Sequence, residues 1–101
     1  MVQVDDRVEN ITKIRMSLRV ENNNKYVRGK GKVRESMEQF LKNEYKMKIV
    51  DNEYIIHVPY ITIEELEKAV YDILNEFDNE ADMRNCFVEV DAYCDELGLT
   101  W

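Results

Sequence analysis

Closely spaced acidic side chains are the first feature of this 101-residue chain that could support a function. They recur between residues 64 and 82 with a single lysine, Lys68, among them. These acidic residues are Glu64, Glu65, Glu67, Asp72, Glu76, Asp78, Glu80 and Asp82. Carboxylates at this density repel one another, and each i,i+4 pair of like charges costs roughly 0.2–0.5 kcal/mol on a helix. Stability alone would favour lysines between them.

Two interpretations of this acidic segment are open. In the first, it is a solvated helix face whose charge only keeps the protein soluble. In the second, it is a docking surface for a basic partner. Helix neighbours lie about 5–6 Å apart, a spacing comparable with that of phosphates along a nucleic-acid strand. Such a surface could occupy a nucleic-acid channel by imitating its charge, with fast and salt-sensitive association.

Lysine and arginine residues are concentrated in the other half of the chain. Residues 1–48 contain 12 of them against 7 acidic residues, a net charge of +5, whereas residues 49–101 contain 2 against 14, a net charge of −12. The candidates for one basic face are Lys13, Arg15, Arg19, Arg28, Lys30 and Lys32. This face would bind nucleic acid or a partner, or would only protect an exposed strand from aggregation. The total charge of −7 argues against a general nucleic-acid binder.

Residues typical of catalysis or metal binding are sparse. His57 is the only histidine, and Cys86 and Cys94 are too far apart in sequence to share a metal ion with it or a disulfide with each other. Residues 78–82 carry oxygen ligands at alternate positions, as a calcium loop does, but lack its turn glycine and distal glutamate. General acid catalysis requires a carboxyl group in a pocket, which an exposed helix face does not offer. We therefore expect no enzyme activity, no cofactor and no metal site.

Hydrophobic periodicity predicts the elements of the first half of the chain. Apolar and polar side chains alternate over residues 10–20, which predicts a half-buried strand. Three asparagines then indicate a turn, and alternating cations over residues 25–34 predict a second strand that completes a hairpin. Apolar residues spaced by three and four over residues 34–45 predict an amphipathic helix. Residues 1–9 show no clear hydrophobic periodicity, so we expect the start of the chain to be frayed.

The second half of the chain begins with another predicted hairpin. Residues 46–58 alternate around Asp51-Asn52, which is a plausible two-residue turn. Residues 62–65, Thr-Ile-Glu-Glu, have the pattern of a capping box, and the apolar residues that follow at helical spacing up to Phe77 predict the helix that it begins.

The pattern of the segment 79–97 matches two alternative kinds of secondary structure. Its apolar residues match a helix that ends at Gly98, and residues 86–94 also match an alternating strand. The longer match and the terminal glycine favour the helix. Trp101, the only tryptophan, would either close the core or anchor a partner.

The predicted order of elements is ββαββαα, in a single α+β domain that spans residues 1–101. Two hairpins would form an antiparallel sheet of about four strands, covered on one face by two to three helices. No run of 18 apolar residues is present, so no transmembrane helix and no membrane partner are predicted. The acidic N-terminal start does not match a signal peptide, and two free cysteines suit a reducing compartment, so we expect a cytoplasmic protein.

The length, the acidity, the acidic segment at 64–82 and the absence of a catalytic motif resemble small acidic inhibitor proteins of phages and mobile elements, of the anti-CRISPR and anti-restriction type. The resemblance implies a protein that acts in a bacterial host as a DNA mimic. It would occlude the basic surface of a nuclease or other defence protein, as a monomer or homodimer. The basic N-terminal half departs from the more uniformly acidic DNA mimics. The alternatives are a small nucleic-acid-binding regulatory module that uses the basic hairpin face, and an immunity-type protein for one specific toxin.

Overall fold

The computed structural model of the protein describes residues 9–26 and 28–101. These residues form strands and helices in the order βαββαββ. The elements are β1 Asn10–Asn22, α1 Lys30–Tyr45, β2 Lys48–Val50, β3 Glu53–Tyr60, α2 Ile63–Met83, β4 Cys86–Cys94 and β5 Leu99–Thr100. The predicted frayed start lies outside the described residues, apart from Glu9.

β1 is the middle strand of an antiparallel sheet with the order β2-β3-β1-β4-β5. Its first half pairs with β3, where Met16 lies opposite Tyr54, and its second half pairs with β4, where Leu18 lies opposite Val90. Since successive side chains of a strand point to opposite faces, this register places the even-numbered residues of all three strands on one face.

Both helices pack on the even-numbered face, and the core lies between the helices and the sheet. The buried stripe of α2 consists of Leu66, Val70, Ile73, Phe77 and Ala81. α1 contributes Val33, Met37 and Leu41. Trp101 is half-buried against this core, and its backbone pairs with that of Ala92, so it closes the core. Among the described elements, none covers the odd-numbered face of the sheet.

The predicted α+β class and antiparallel sheet are confirmed, and so are the elements set by local side chains. Asp51 and Asn52 both have positive φ angles, 52° and 65°, as a two-residue hairpin turn requires. The capping box is also present. Thr62 Oγ1 accepts a hydrogen bond from the Glu65 N–H at 3.2 Å, and Glu65 Oε1 accepts one from the Thr62 N–H at 3.0 Å.

The predicted strand over residues 25–34, and with it the first hairpin, is wrong. The chain turns after β1, and α1 begins at Lys30, with Gly29 as its N-cap. Asn22 Oδ1 accepts a hydrogen bond from the Lys30 N–H at 3.0 Å, which fixes this turn. The strand that pairs with this half of β1 is β4, more than sixty residues later. Alternating charge alone did not distinguish an outward strand face from the exposed start of a helix.

The predicted helix over residues 79–97 is wrong beyond Met83, and the strand alternative for residues 86–94 is correct. α2 ends at Met83, and Asn85, with a φ of 54°, turns the chain into β4. Eight successive residue pairs join β4 to β1, from Arg15 opposite Tyr93 onward. This tertiary pairing outweighs the helical periodicity of the segment. The described residues therefore form a sheet of five strands in place of about four, together with two helices.

Candidate protein-binding surface

The eight acidic residues singled out in the sequence all lie on α2, and none is buried. At about 100° per residue they fall into two groups, on either side of the exposed arc of the helix. The first group, which we call the β4 flank, consists of Glu64, Glu67, Asp78 and Asp82. The second group, the α1 flank, consists of Glu65, Asp72, Glu76 and Glu80. The structure thus divides a segment that the sequence presents as continuous.

Contacts of individual side chains show which element each flank faces. Asp78 and Asp82 line a groove next to the first residues of β4. On the other side of α2, burial raises the pKa of the Tyr45 phenol in α1, and the charges of Glu44 and Asp72 raise it further. Asp72 therefore lies within electrostatic reach of α1.

Most of the α1 flank is occupied by contacts within the protein. Lys68 Nζ lies 3.0 Å from Asp72 Oδ2, and Arg84 Nε lies 3.3 Å from Glu80 Oε1. Glu65 belongs to the capping box. Glu76 is exposed. Glu65, Asp72 and Glu80 therefore have internal roles with which a partner would have to compete, whereas Glu76 forms no ion pair with a described residue.

The β4 flank is different because its four carboxylates form no ion pair with any other residue that the structure describes. Glu64, Asp78 and Asp82 are exposed, and Glu67 is half-buried. Glu64 and Asp82 are 18 residues apart, so the flank extends over about 27 Å of helix. This length of uncompensated negative charge is available to a basic partner.

Exposed aromatic side chains accompany the β4 flank. Tyr71 lies on the same side of α2 and is 55% exposed, and Phe87 of β4 is 52% exposed. Phe87 lines the groove together with Asp78 and Asp82, and the groove has a volume of about 290 Å³. Aromatic residues within a polar surround are typical of the central contacts of protein interfaces.

The predicted basic face does not form as one stripe. Lys13, Arg15 and Arg19 lie on the odd-numbered face of β1. Arg15 donates to Glu53 at 2.9 Å and to Asp95 at 3.2 Å. Hydrogen bonds to Asp95 and then Glu53 raise the pKa of Arg15, and Arg15 in turn lowers the pKa of Asp95.

The other cations of β1 and the turn after it are arranged differently. Arg19 Nη1 lies 3.7 Å from Glu89 Oε1, an exposed ion pair. Arg28, Lys30 and Lys32 are exposed at the N-terminus of α1, outside the sheet. The predicted face is therefore divided between a partly neutralised strand and a separate group at a helix end.

The candidate residues for other chemistry remain dispersed. His57 is exposed on β3, and Cys86 and Cys94 are free and buried at the two ends of β4. Residues 78–82 are helical, so their oxygens do not form a loop. Within the described part of the chain, no three His, Cys, Asp or Glu side chains form a group that could hold a metal ion.

A hydrogen-bond network around the buried Tyr54 was not predicted from the sequence. The Tyr54 hydroxyl donates to Glu38 at 2.9 Å and accepts from Arg34 at 3.2 Å. Burial and the hydrogen bond to Glu38 raise the pKa of Tyr54 to about 12. Both partners belong to α1, whereas Tyr54 belongs to β3, so the network depends on how these two elements pack and no local signal could reveal it.

Comparison of the chain with protein-family models, with curated proteins and with solved structures finds no match. Among the described residues, no helix is both long enough and apolar enough to span a membrane.

Proposed function

We propose that this protein is a non-enzymatic inhibitor whose β4 flank binds the basic, nucleic-acid-contacting surface of a nuclease or other defence protein and occludes it. The observation that carries the proposal is the absence of ion-pair partners for Glu64, Glu67, Asp78 and Asp82 among the described residues. A partner that presents lysine and arginine would supply the missing countercharges.

The physical consequence of this surface is a directed electrostatic field. Negative charge along about 27 Å of helix attracts a basic groove before contact and raises the association rate. Because salt screens exposed charges over about 8–10 Å, the association rate falls as ionic strength rises. The exposed aromatic side chains of Tyr71 and Phe87 would then supply apolar contact within the interface.

A capture experiment tests the proposal. The protein is immobilised, a bacterial lysate is passed over it, and retained proteins are eluted with duplex DNA. We expect nucleic-acid-binding proteins to be released by DNA, and the variant Asp78→Lys/Asp82→Lys to retain about tenfold less of them. Asp72→Lys/Glu76→Lys is the matched control, because it changes the net charge equally on the α1 flank.

The result that contradicts the proposal is equal retention by both double variants. A single retained protein that duplex DNA does not release would also contradict occlusion, and would favour the immunity-type alternative. Thermal unfolding of each variant separates a lost contact from a lost fold.

A second candidate function, a nucleic-acid-binding module, is favoured by one specific observation. Arg28, Lys30 and Lys32 lie at the N-terminus of α1, whose first turn contains no acidic residue and whose N-cap makes no side-chain hydrogen bond. The helix dipole attracts phosphate groups to a helix N-terminus, and at α1 it would act together with these three cations, since the Lys30 N–H already donates to Asn22 Oδ1. A gel shift at low salt tests this candidate, with Lys30→Glu/Lys32→Glu expected to abolish the shift. No retardation of DNA by the unmodified protein would exclude it.

A further inference from the structure

Within the part of the chain that the structure describes, no strand pairs with the edge of β4 beyond β5. Ala92 and Trp101 exchange two backbone hydrogen bonds, at 3.2 and 2.9 Å, so the polar backbone groups of Ala92 point away from β1. Alternate residues of a strand point these groups in the same direction, so those of Val90 and Val88 reach the same edge. Among the described residues, none pairs with them there. This free edge, residues 86–91, we call the β4 edge.

The groove beside α2 opens along this edge. Cys86 and Val88 belong to the helix-covered face of the sheet and Phe87 to the opposite face, yet all three line the groove. Phe87 lies between the other two in sequence, so the groove follows the first residues of β4, which also form the unpaired edge. An extended chain is the shape that can follow such an edge and pair with its backbone.

The charges beside the β4 edge determine what kind of chain would fit. Asp78 and Asp82 line the groove from the side of α2. On the opposite face of the sheet, Asp91 is exposed and forms no ion pair with a described residue. Carboxylates therefore lie on both sides of the position that an added strand would occupy. Proteins usually protect a free edge with charged side chains, lysine above all, or with proline, and the charged residues among 86–91 are both acidic, Glu89 and Asp91. A second acidic copy of this chain would be repelled here, whereas a basic segment would be attracted.

We propose that the β4 edge accepts an extended basic segment of the partner as an additional strand. Lysine or arginine side chains at alternate positions would face Asp78 and Asp82, and the intervening side chains would contact Phe87. Backbone hydrogen bonds to Val88 and Val90 would hold the segment in register. This inference rests on the proposed function, since it specifies how the basic partner is held.

The experiment uses the full chain and a short synthetic peptide in which lysine alternates with threonine. A second peptide of the same sequence carries N-methyl groups at alternate residues, which removes backbone donors and leaves the charge unchanged. Hydrogen exchange measured by NMR follows the Val88 and Val90 amides, with the Glu89 amide, directed toward β1, as an internal reference. Affinity is measured for the protein and for the two double variants, Asp78→Lys/Asp82→Lys and Asp72→Lys/Glu76→Lys.

We expect the unmodified peptide to slow exchange at Val88 and Val90, and the N-methylated peptide to bind about tenfold more weakly or not at all. Asp78→Lys/Asp82→Lys is expected to weaken binding about tenfold, and the control variant to leave it unchanged. Equal binding of both peptides would overturn the strand addition while leaving the acidic surface intact. Protection of Val88 and Val90 before peptide is added would also overturn it, because a second copy would then occupy the edge.

Discussion

Gly29 marks the point where the start of α1 meets the corner between α2 and β4. A Cβ atom at this position would lie 2.8 Å from Arg84 Cβ and 2.9 Å from the Arg84 carbonyl oxygen. At Gly31 an added Cβ meets nothing within 4 Å. We expect Gly29→Ala to lower the free energy of unfolding by about 1–3 kcal/mol through overpacking, and Gly31→Ala to raise it by about 0.5–1 kcal/mol. Urea unfolding measures the change in the free energy of unfolding for each variant. Equal changes would contradict the close approach of Gly29 to Arg84.

Tyr54 gives the protein a specific sensitivity to alkali. Its pKa is about 12 in the folded protein and 10.0 ordinarily, so the unfolded chain loses this proton first as the pH rises. The stabilisation is complete below pH 10 and is lost between pH 10 and 12. We expect Tyr54→Phe to be about 1 kcal/mol less stable at neutral pH and to lose less stability over this alkaline range. Unfolding measured at several pH values tests this, and parallel curves for the two proteins would refute it.

At the scale of elements, α2 depends on the cap at its start. The hydrogen bonds between Thr62 and Glu65 satisfy two backbone N–H groups that the helix leaves unpaired. We expect Thr62→Ala to lower the free energy of unfolding by about 1 kcal/mol. Thr62→Ser keeps the hydroxyl and is the control. Thermal unfolding compares the two, and a Ser variant as unstable as the Ala variant would argue against the cap.

Elements set by neighbouring residues could be predicted from the sequence, and elements set by distant partners could not. The turn at Asp51-Asn52 and the capping box depend on local side chains, so their patterns were sufficient. The apolar residues within 86–94 match both a helical and a strand periodicity, and only the pairing of this segment with β1 decides between the two. The acidic residues of α2 could likewise be identified in advance. Their division into two flanks could not, because it depends on which neighbour each flank faces.

At the scale of the whole molecule, we expect the repulsion between the carboxylates of the β4 flank to reduce stability. Asp78 and Asp82 are four residues apart on the helix, and neither forms an ion pair with a described residue. We expect Asp78→Asn/Asp82→Asn to raise the free energy of unfolding at low salt by about 0.2–0.5 kcal/mol. The gain should disappear as salt screens the repulsion. Denaturant unfolding at low and high salt checks this, and a gain independent of salt would point to another cause.

Occlusion of a nucleic-acid-contacting surface is tested most directly by displacement. A protein captured on the β4 flank is bound to fluorescently labelled duplex DNA, and anisotropy is followed as the inhibitor is added. We expect the unmodified protein to release the DNA, Asp72→Lys/Glu76→Lys to do so equally, and Asp78→Lys/Asp82→Lys to require about tenfold more protein. DNA that stays bound while the captured protein also holds the inhibitor would contradict occlusion.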